Sequence, residues 1–278
     1  MCTVVVLRRP EAPWPLLLAA NRDELSSRPW RPPARHWPDR PDVVAGLDVE
    51  AGGSWLGVND DGVAAAVLNR VGSLGPAAGK RSRGELVLEA LDHADAAAAA
   101  AAMVDLDPEA YRPFNLLIAD SRDAFWLRHG GGLPTFGFRT SSGVWQEVDP
   151  ASMPGTGDAP KPTLRTSPIT CEPLPEGCSM LTARDLNDPA SARMRRYLPQ
   201  FERARVPDPA AEQWEHWIRL LGQRAAPGED PGDAMNIVTD GDFGTVCSSL
   251  VALPAFGAPV MRFAAGRPDE VPFETVML

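Results

Sequence analysis

The sequence predicts an α+β chain of two stacked sheets covered by helices. Three observations carry that prediction. Short Val- and Leu-rich runs open the chain at 4–7 and 16–20 and return after residue 235, so both ends supply strands. Between them lie helix-forming stretches, over 85–104, 189–204 and 209–222. Turn signals such as Asn59-Asp60-Asp61-Gly62 and Ser121-Arg122-Asp123 join neighbouring apolar runs as antiparallel hairpins.

The first two runs, separated by Arg8-Arg9-Pro10-Glu11-Ala12-Pro13, read as a hairpin that returns Asn21-Arg22-Asp23-Glu24 to the end where Cys2 stands. Residues 26–41 hold five prolines, two tryptophans and several arginines, a density that predicts an extended loop without regular structure. Trp55 to Val58 and Val63 to Leu68 form the next hairpin. The second of these strands is Ala- and Val-rich without alternation and so should be buried on both faces. One continuous helix is expected from Glu85 to Val104, carried by Leu86, Leu88, Leu91 and an alanine run. Residues 115–128 give another hairpin. The Gly- and Pro-rich stretch around 130–177 reads as an irregular excursion, its part from Asp149 to Glu176 as a mobile lid or insertion. Two helices opened by Asp-Pro follow, at Pro189 to Ala204 and Pro209 to Gly222. Strands are expected at 235–239, 246–253, 259–264 and 272–276. A linker between two domains is the alternative for that excursion, but the strands after 235 read as belonging to the same sheets as those before 130, so residues 1–278 are expected to form one domain.

Bulk properties narrow the function. The chain has 278 residues, a net charge of −10 and no basic block, which argues against nucleic acid or an anionic membrane surface as partner. No stretch approaches the roughly 18–20 apolar residues of a spanning helix. Arg8, Arg9 and Pro10 interrupt any signal-like apolar region, so a cytoplasmic location is expected. Cys2, Cys171, Cys178 and Cys247 are too scattered for a disulfide framework. The spacing of Cys171 and Cys178 does not suit zinc, and His36, His93, His129 and His216 are dispersed. No cofactor or metal is expected; the partner is a small-molecule substrate or ligand.

Cys2 carries the candidate chemistry. Removal of Met1 would place a free α-amine, titrating near ~7.7–8.0, on the same residue as a thiol of pKa ~8.5. Base and nucleophile then come from one residue. Asp23 is suited to orienting the amine, and Arg22 to holding a carboxylate or oxyanion. Asn69 closes a buried strand, where its amide can donate to an oxyanion.

Met1-Cys2-Thr3 together with Leu18-Ala19-Ala20-Asn21-Arg22-Asp23-Glu24 resembles the Asn-Arg-Asp-Glu family, also called the transport and Golgi organisation protein 2 family. Further matching segments are Ala45-Gly46-Leu47-Asp48, Ala51 to Val58, Leu68-Asn69-Arg70, Ser82 to Leu86, Phe114 to Leu117 and Phe243 to Ser249. The resemblance implies the four-layer αββα sandwich of N-terminal-nucleophile hydrolases of the penicillin V acylase and bile-salt hydrolase type. It implies Cys2, Asp23 and Asn69 as catalytic residues, Arg22, Asn21 and Trp55 as substrate contacts, and cleavage of a non-peptide carbon–nitrogen bond. The alternative it raises is a non-catalytic lipid- or haem-handling protein, with Cys2 as an axial thiolate. The chain departs from the family pattern in two places. It lacks a mid-chain Ser-Asn pair, leaving Arg184 or Asn187 as substitutes, and it has Gly244-Thr245-Val246 where Gly-Thr-Arg is frequent.

Overall fold

The computed structural model describes residues 2–130 and 168–278 in full, and between them the backbone of 135–139, 145–148 and 163–165. The expected hairpin forms from β1 (Thr3–Arg8) and β2 (Leu16–Leu25), paired Thr3 to Asn21 through Arg8 to Leu16. Both are interior strands. On its other side β1 pairs with β13 (Gly177–Leu181), and β2 pairs with β14 (Phe243–Leu253). β15 (Val260–Ala264) and β16 (Glu274–Thr275) complete a six-stranded antiparallel sheet. Leu16, Leu17 and Leu18 are buried whichever way they point, as a continuous apolar run requires. Each such side chain contributes about 1.5–3 kcal/mol on leaving water.

The second sheet has seven antiparallel strands. In chain order they are β3 (Trp30–Ala34), β4 (Val43–Asp48), β5 (Leu56–Asn59), β6 (Ala64–Asn69), β7 (Phe114–Ala119), β8 (Ala124–His129) and β12 (Thr170–Pro173). β3 corrects the reading of 26–41 as wholly irregular. It is the edge strand, and its register with β4 shifts between Arg31 and Ala34, where Pro32 and Pro33 withhold their donors. β6 is as expected: Ala64 and Ala66 face the first sheet, and Ala65 faces the helices.

α1 (Gly84–Leu91) and α2 (Ala96–Val104) replace the single expected helix. The break falls at Asp92 to Asp95, where Asp95 accepts from Ala98 N and caps the second segment, a stronger local signal than helix propensity. α3 (Ala192–Arg203) and α4 (Glu215–Leu221) are shorter than the patterns suggested, and the stretch 235–239 is not a strand.

Three apolar clusters define the layers. One lies between the sheets, with Val4, Leu18, Leu56, Leu117 and Val251. One packs α1 and α2 on the second sheet, and one packs α3 and α4 on the first. The order helix–sheet–sheet–helix is an αββα sandwich. Within 130–177, β9 (Thr135–Arg139), β10 (Trp145–Val148) and β11 (Thr163–Arg165) form a third small sheet, correcting the irregular reading there. Of the expected mobile segment, 168–176 is described and carries β12, whereas 149–162 and 166–167 lie outside the described residues. Among the described residues no helix is long and apolar enough to cross a membrane.

Candidate functional site

Alternation along β1 and β2 sorts the motif onto two faces. Val4 and Ala20 point between the sheets, and Cys2 and Arg22 share that side. Thr3, Asn21 and Asp23 point toward the helices. A cleft of about 700 Å³ opens at the Cys2 end, lined by Cys2, Arg22, Trp55 and Asn69 among others. Four of the six expected site residues are therefore brought together.

Cys2 is partly buried, and its Sγ donates to the Asp23 carbonyl at 3.7 Å. Burial and then the Asp23 charge push its thiol above the ordinary range, while Arg22 acts in the opposite sense. Arg22 is buried. Its Nη2 donates to Asp48 Oδ2 at 3.2 Å, and its guanidinium lies 4.4 Å from the centre of the Trp55 ring. Among the described residues its Nη1 is buried without a hydrogen-bond partner. Trp55 is wedged in turn: its ring meets Trp30 edge-on at 6.0 Å. A Cβ on Gly46 would come within 2.3 Å of the ring, so only glycine leaves it room. Asn69, at the end of β6, lines the cleft, and its side chain makes no hydrogen bond among the described residues.

Asp23 and Asn21 serve the opposite face. Asp23 accepts from Thr245 Oγ1 at 2.7 Å and from Arg193 Nη1 at 3.3 Å. The same Arg193 nitrogen donates to Thr3 Oγ1 at 2.5 Å, tying the residue after Cys2 to the carboxylate. The expectation that Asn21 touches substrate meets a different geometry. Its amide donates to Leu221 O at 3.0 Å and Met235 O at 2.9 Å, and its oxygen accepts from Ser248 at 2.7 Å. That side chain is a buried anchor for β2.

Neither suggested replacement for the Ser-Asn pair reaches the cleft. Asn187 has φ 55° and spends its side chain on Met180 N and Ser179 Oγ; Arg184 is exposed and faces Asp188. Arg193, Thr245 and Asp48 escaped the sequence reading. For Arg193 a signal existed: it shares an i, i+4, i+8 stripe with the buried Tyr197 and Phe201, an unusual place for an arginine without a partner inside. Among the described residues no cluster of His, Cys, Asp and Glu could hold a metal ion.

The sandwich, with a cysteine beside the opening β-strand at the mouth of its cleft, is of the N-terminal-nucleophile hydrolase fold class. A solved structure, the Caenorhabditis elegans N-acylethanolamine-hydrolyzing acid amidase ortholog, matches 90% of this chain and 92% of its own at a TM-score of 0.50, with 11% sequence identity. At that identity the likeness concerns the fold. The family model for Transport and Golgi organisation 2 matches residues 1–143, just over half of the chain, and the protein belongs to that family. The Transport and Golgi organization protein 2 homologs of Bos taurus and Homo sapiens are 39% and 38% identical over 110 residues. Those matches span only 38% of this chain and 38% of each relative.

Proposed function

We propose that the protein is a cytoplasmic N-terminal-nucleophile amidohydrolase, acting on the carbon–nitrogen bond of a small non-peptide amide. The observation that carries this reading is that Arg22, whose buried Nη1 has no hydrogen-bond partner among the described residues, lines the same cleft as Cys2. An unsatisfied charged donor costs stability unless something occupies its site, and a carbonyl oxygen turning into an oxyanion is a fitting acceptor. The raised thiol supports a separate base over a standing thiolate.

In the proposed reaction Met1 is removed and the Cys2 α-amine takes the thiol proton as Sγ bonds to the carbonyl carbon. Arg22 and Asn69 hold the oxyanion. The carbon–nitrogen bond breaks, and the leaving amine departs with the proton. Water then attacks the thioester, giving a carboxylic acid and restoring the thiol. Asp23, set by Arg193 and Thr245, positions the amino-terminal residue.

The test is an intact-mass measurement before and after brief alkylation at neutral pH, followed by an amide screen with Cys2→Ala as control. Loss of Met1, selective modification of Cys2 and activity abolished in Cys2→Ala are expected. Full activity in Cys2→Ala would end the catalytic reading. Retained Met1 with an unreactive Cys2 would favour a binding protein instead.

A further inference from the structure

The wall of the cleft carries two arginines that the mechanism above does not use. Arg83, which precedes α1, and Arg112, which precedes β7, both line it. The other basic groups of the cleft have carboxylate partners. Arg22 and Arg28 face Asp48, Arg81 faces Glu85 and Glu89, and Lys80 faces Glu109. Among the described residues Arg83 and Arg112 make no ion pair. Their guanidinium groups are held by neutral acceptors only. Arg83 Nη1 donates to Ser73 O at 2.7 Å, Ser73 Oγ at 2.9 Å and Pro113 O at 3.0 Å. Arg112 donates to Leu74 O at 2.6 Å and Gly72 O at 3.1 Å, with longer contacts to Gly75 and Pro76 carbonyls.

These carbonyls fix the two side chains without neutralising them. The charges also feel one another: burial and then the Arg112 charge bring Arg83 down to about 10, and Cys2 and Glu24 lie within its field. Two neighbouring, half-buried, uncompensated cations are an unusual expense in a chain of net charge −10. Holding the loop at 72–76 would need only donors, which uncharged side chains also supply. Charge without a counter-charge, preset in direction and open to a cleft, fits an anionic ligand group, and the planar fork of arginine matches the oxygens of a carboxylate or phosphate.

We infer that Arg83 and Arg112 form an anion subsite, so that the ligand of this cleft carries a neutral carbonyl end at Cys2 and Arg22 and a carboxylate or phosphate at Arg83 and Arg112. The inference takes from the functional reading only that the cleft is the binding site, and it names the ligand class.

The test is isothermal titration of the full-length protein with inorganic phosphate and, separately, glutarate at constant ionic strength, compared across wild type, Arg112→Gln, Arg112→Lys and Cys2→Ala. Saturable one-to-one binding of either anion is expected, weakened at least tenfold in Arg112→Gln, less in Arg112→Lys, and unchanged in Cys2→Ala. Preference for phosphate or glutarate identifies which oxyanion the ligand carries. Absence of saturable binding by both anions, or equal binding by wild type and a folded Arg112→Gln, would overturn the subsite. Because Cys2→Ala is included and no turnover is read, that failure would leave the hydrolase reading intact, and loss of the hydrolase reading would leave the subsite intact.

Discussion

Arg193 and Asp23 stand 170 residues apart in the chain and meet at 3.3 Å in the interior, with side chains 3% and 0% exposed. A buried pair of this kind contributes little over an apolar substitute, but breaking it strands a charge. Arg193→Met should therefore destabilise the protein by about 3–5 kcal/mol. Asp23→Asn combined with Arg193→Met should cost less than the sum of the two single changes. Urea unfolding of the four variants in a double-mutant cycle checks this.

Asp23 also acts on Cys2 through its charge. Its carboxylate raises the thiol pKa, second only to burial, so removing the charge must lower it. Alkylation follows the thiolate fraction. In folded Asp23→Asn the pH–rate profile of Cys2 alkylation should therefore shift to lower pH, and the rate at pH 8 should rise. Cys178, pushed up to about 12 chiefly by burial, should stay slow in both proteins and serves as the internal reference. Peptide mapping by mass spectrometry resolves the two.

Gly46 governs the Trp55 ring, and through it the seat of Arg22. The close approach to the ring leaves Gly46→Ala no space unless Trp55 moves. Overpacking of this sort typically costs about 1–3 kcal/mol. The expected outcome is a lower melting temperature with an altered tryptophan emission spectrum. An unchanged spectrum at full stability would contradict the packing described here.

Asn21→Leu should be costly for the fold and unrelated to ligand recognition. It leaves the Leu221 and Met235 carbonyls and the Ser248 hydroxyl without their partner. Each buried polar group so stranded costs about 1–3 kcal/mol. Chemical denaturation measures the loss, and anion titration of the remaining folded protein should give wild-type affinity.

What the sequence disclosed follows from how far each signal reaches. The β1–β2 hairpin and the Cys2–Arg22 neighbourhood are local, fixed by a short turn and by alternation. The layered α+β architecture follows from runs long enough to declare their period. β3 was hidden because prolines at an edge strand look like loop residues. β12 and β13 were hidden because both lie in polar, proline-flanked stretches and gain their strand character only from partners far along the chain. The split between α1 and α2 turned on the Asp95 cap, which a run of alanines overshadowed. Arg193 could be found only by asking which carboxylate a buried arginine would need. The second oxyanion donor sought at Arg184 or Asn187 was misplaced because Asn187 closes a local turn.

β2 sits between β1, its immediate predecessor, and β14, which ends at Leu253. On a ribosome adding ~5–20 residues per second, the outer edge of β2 waits roughly 10–45 s for its partner. Through that interval Leu16 to Ala20 present an apolar, unpaired strand edge, a template for association with other nascent chains. Shielding by chaperones during synthesis therefore matters most before residue 253 emerges. Truncation ahead of β14 should yield aggregates.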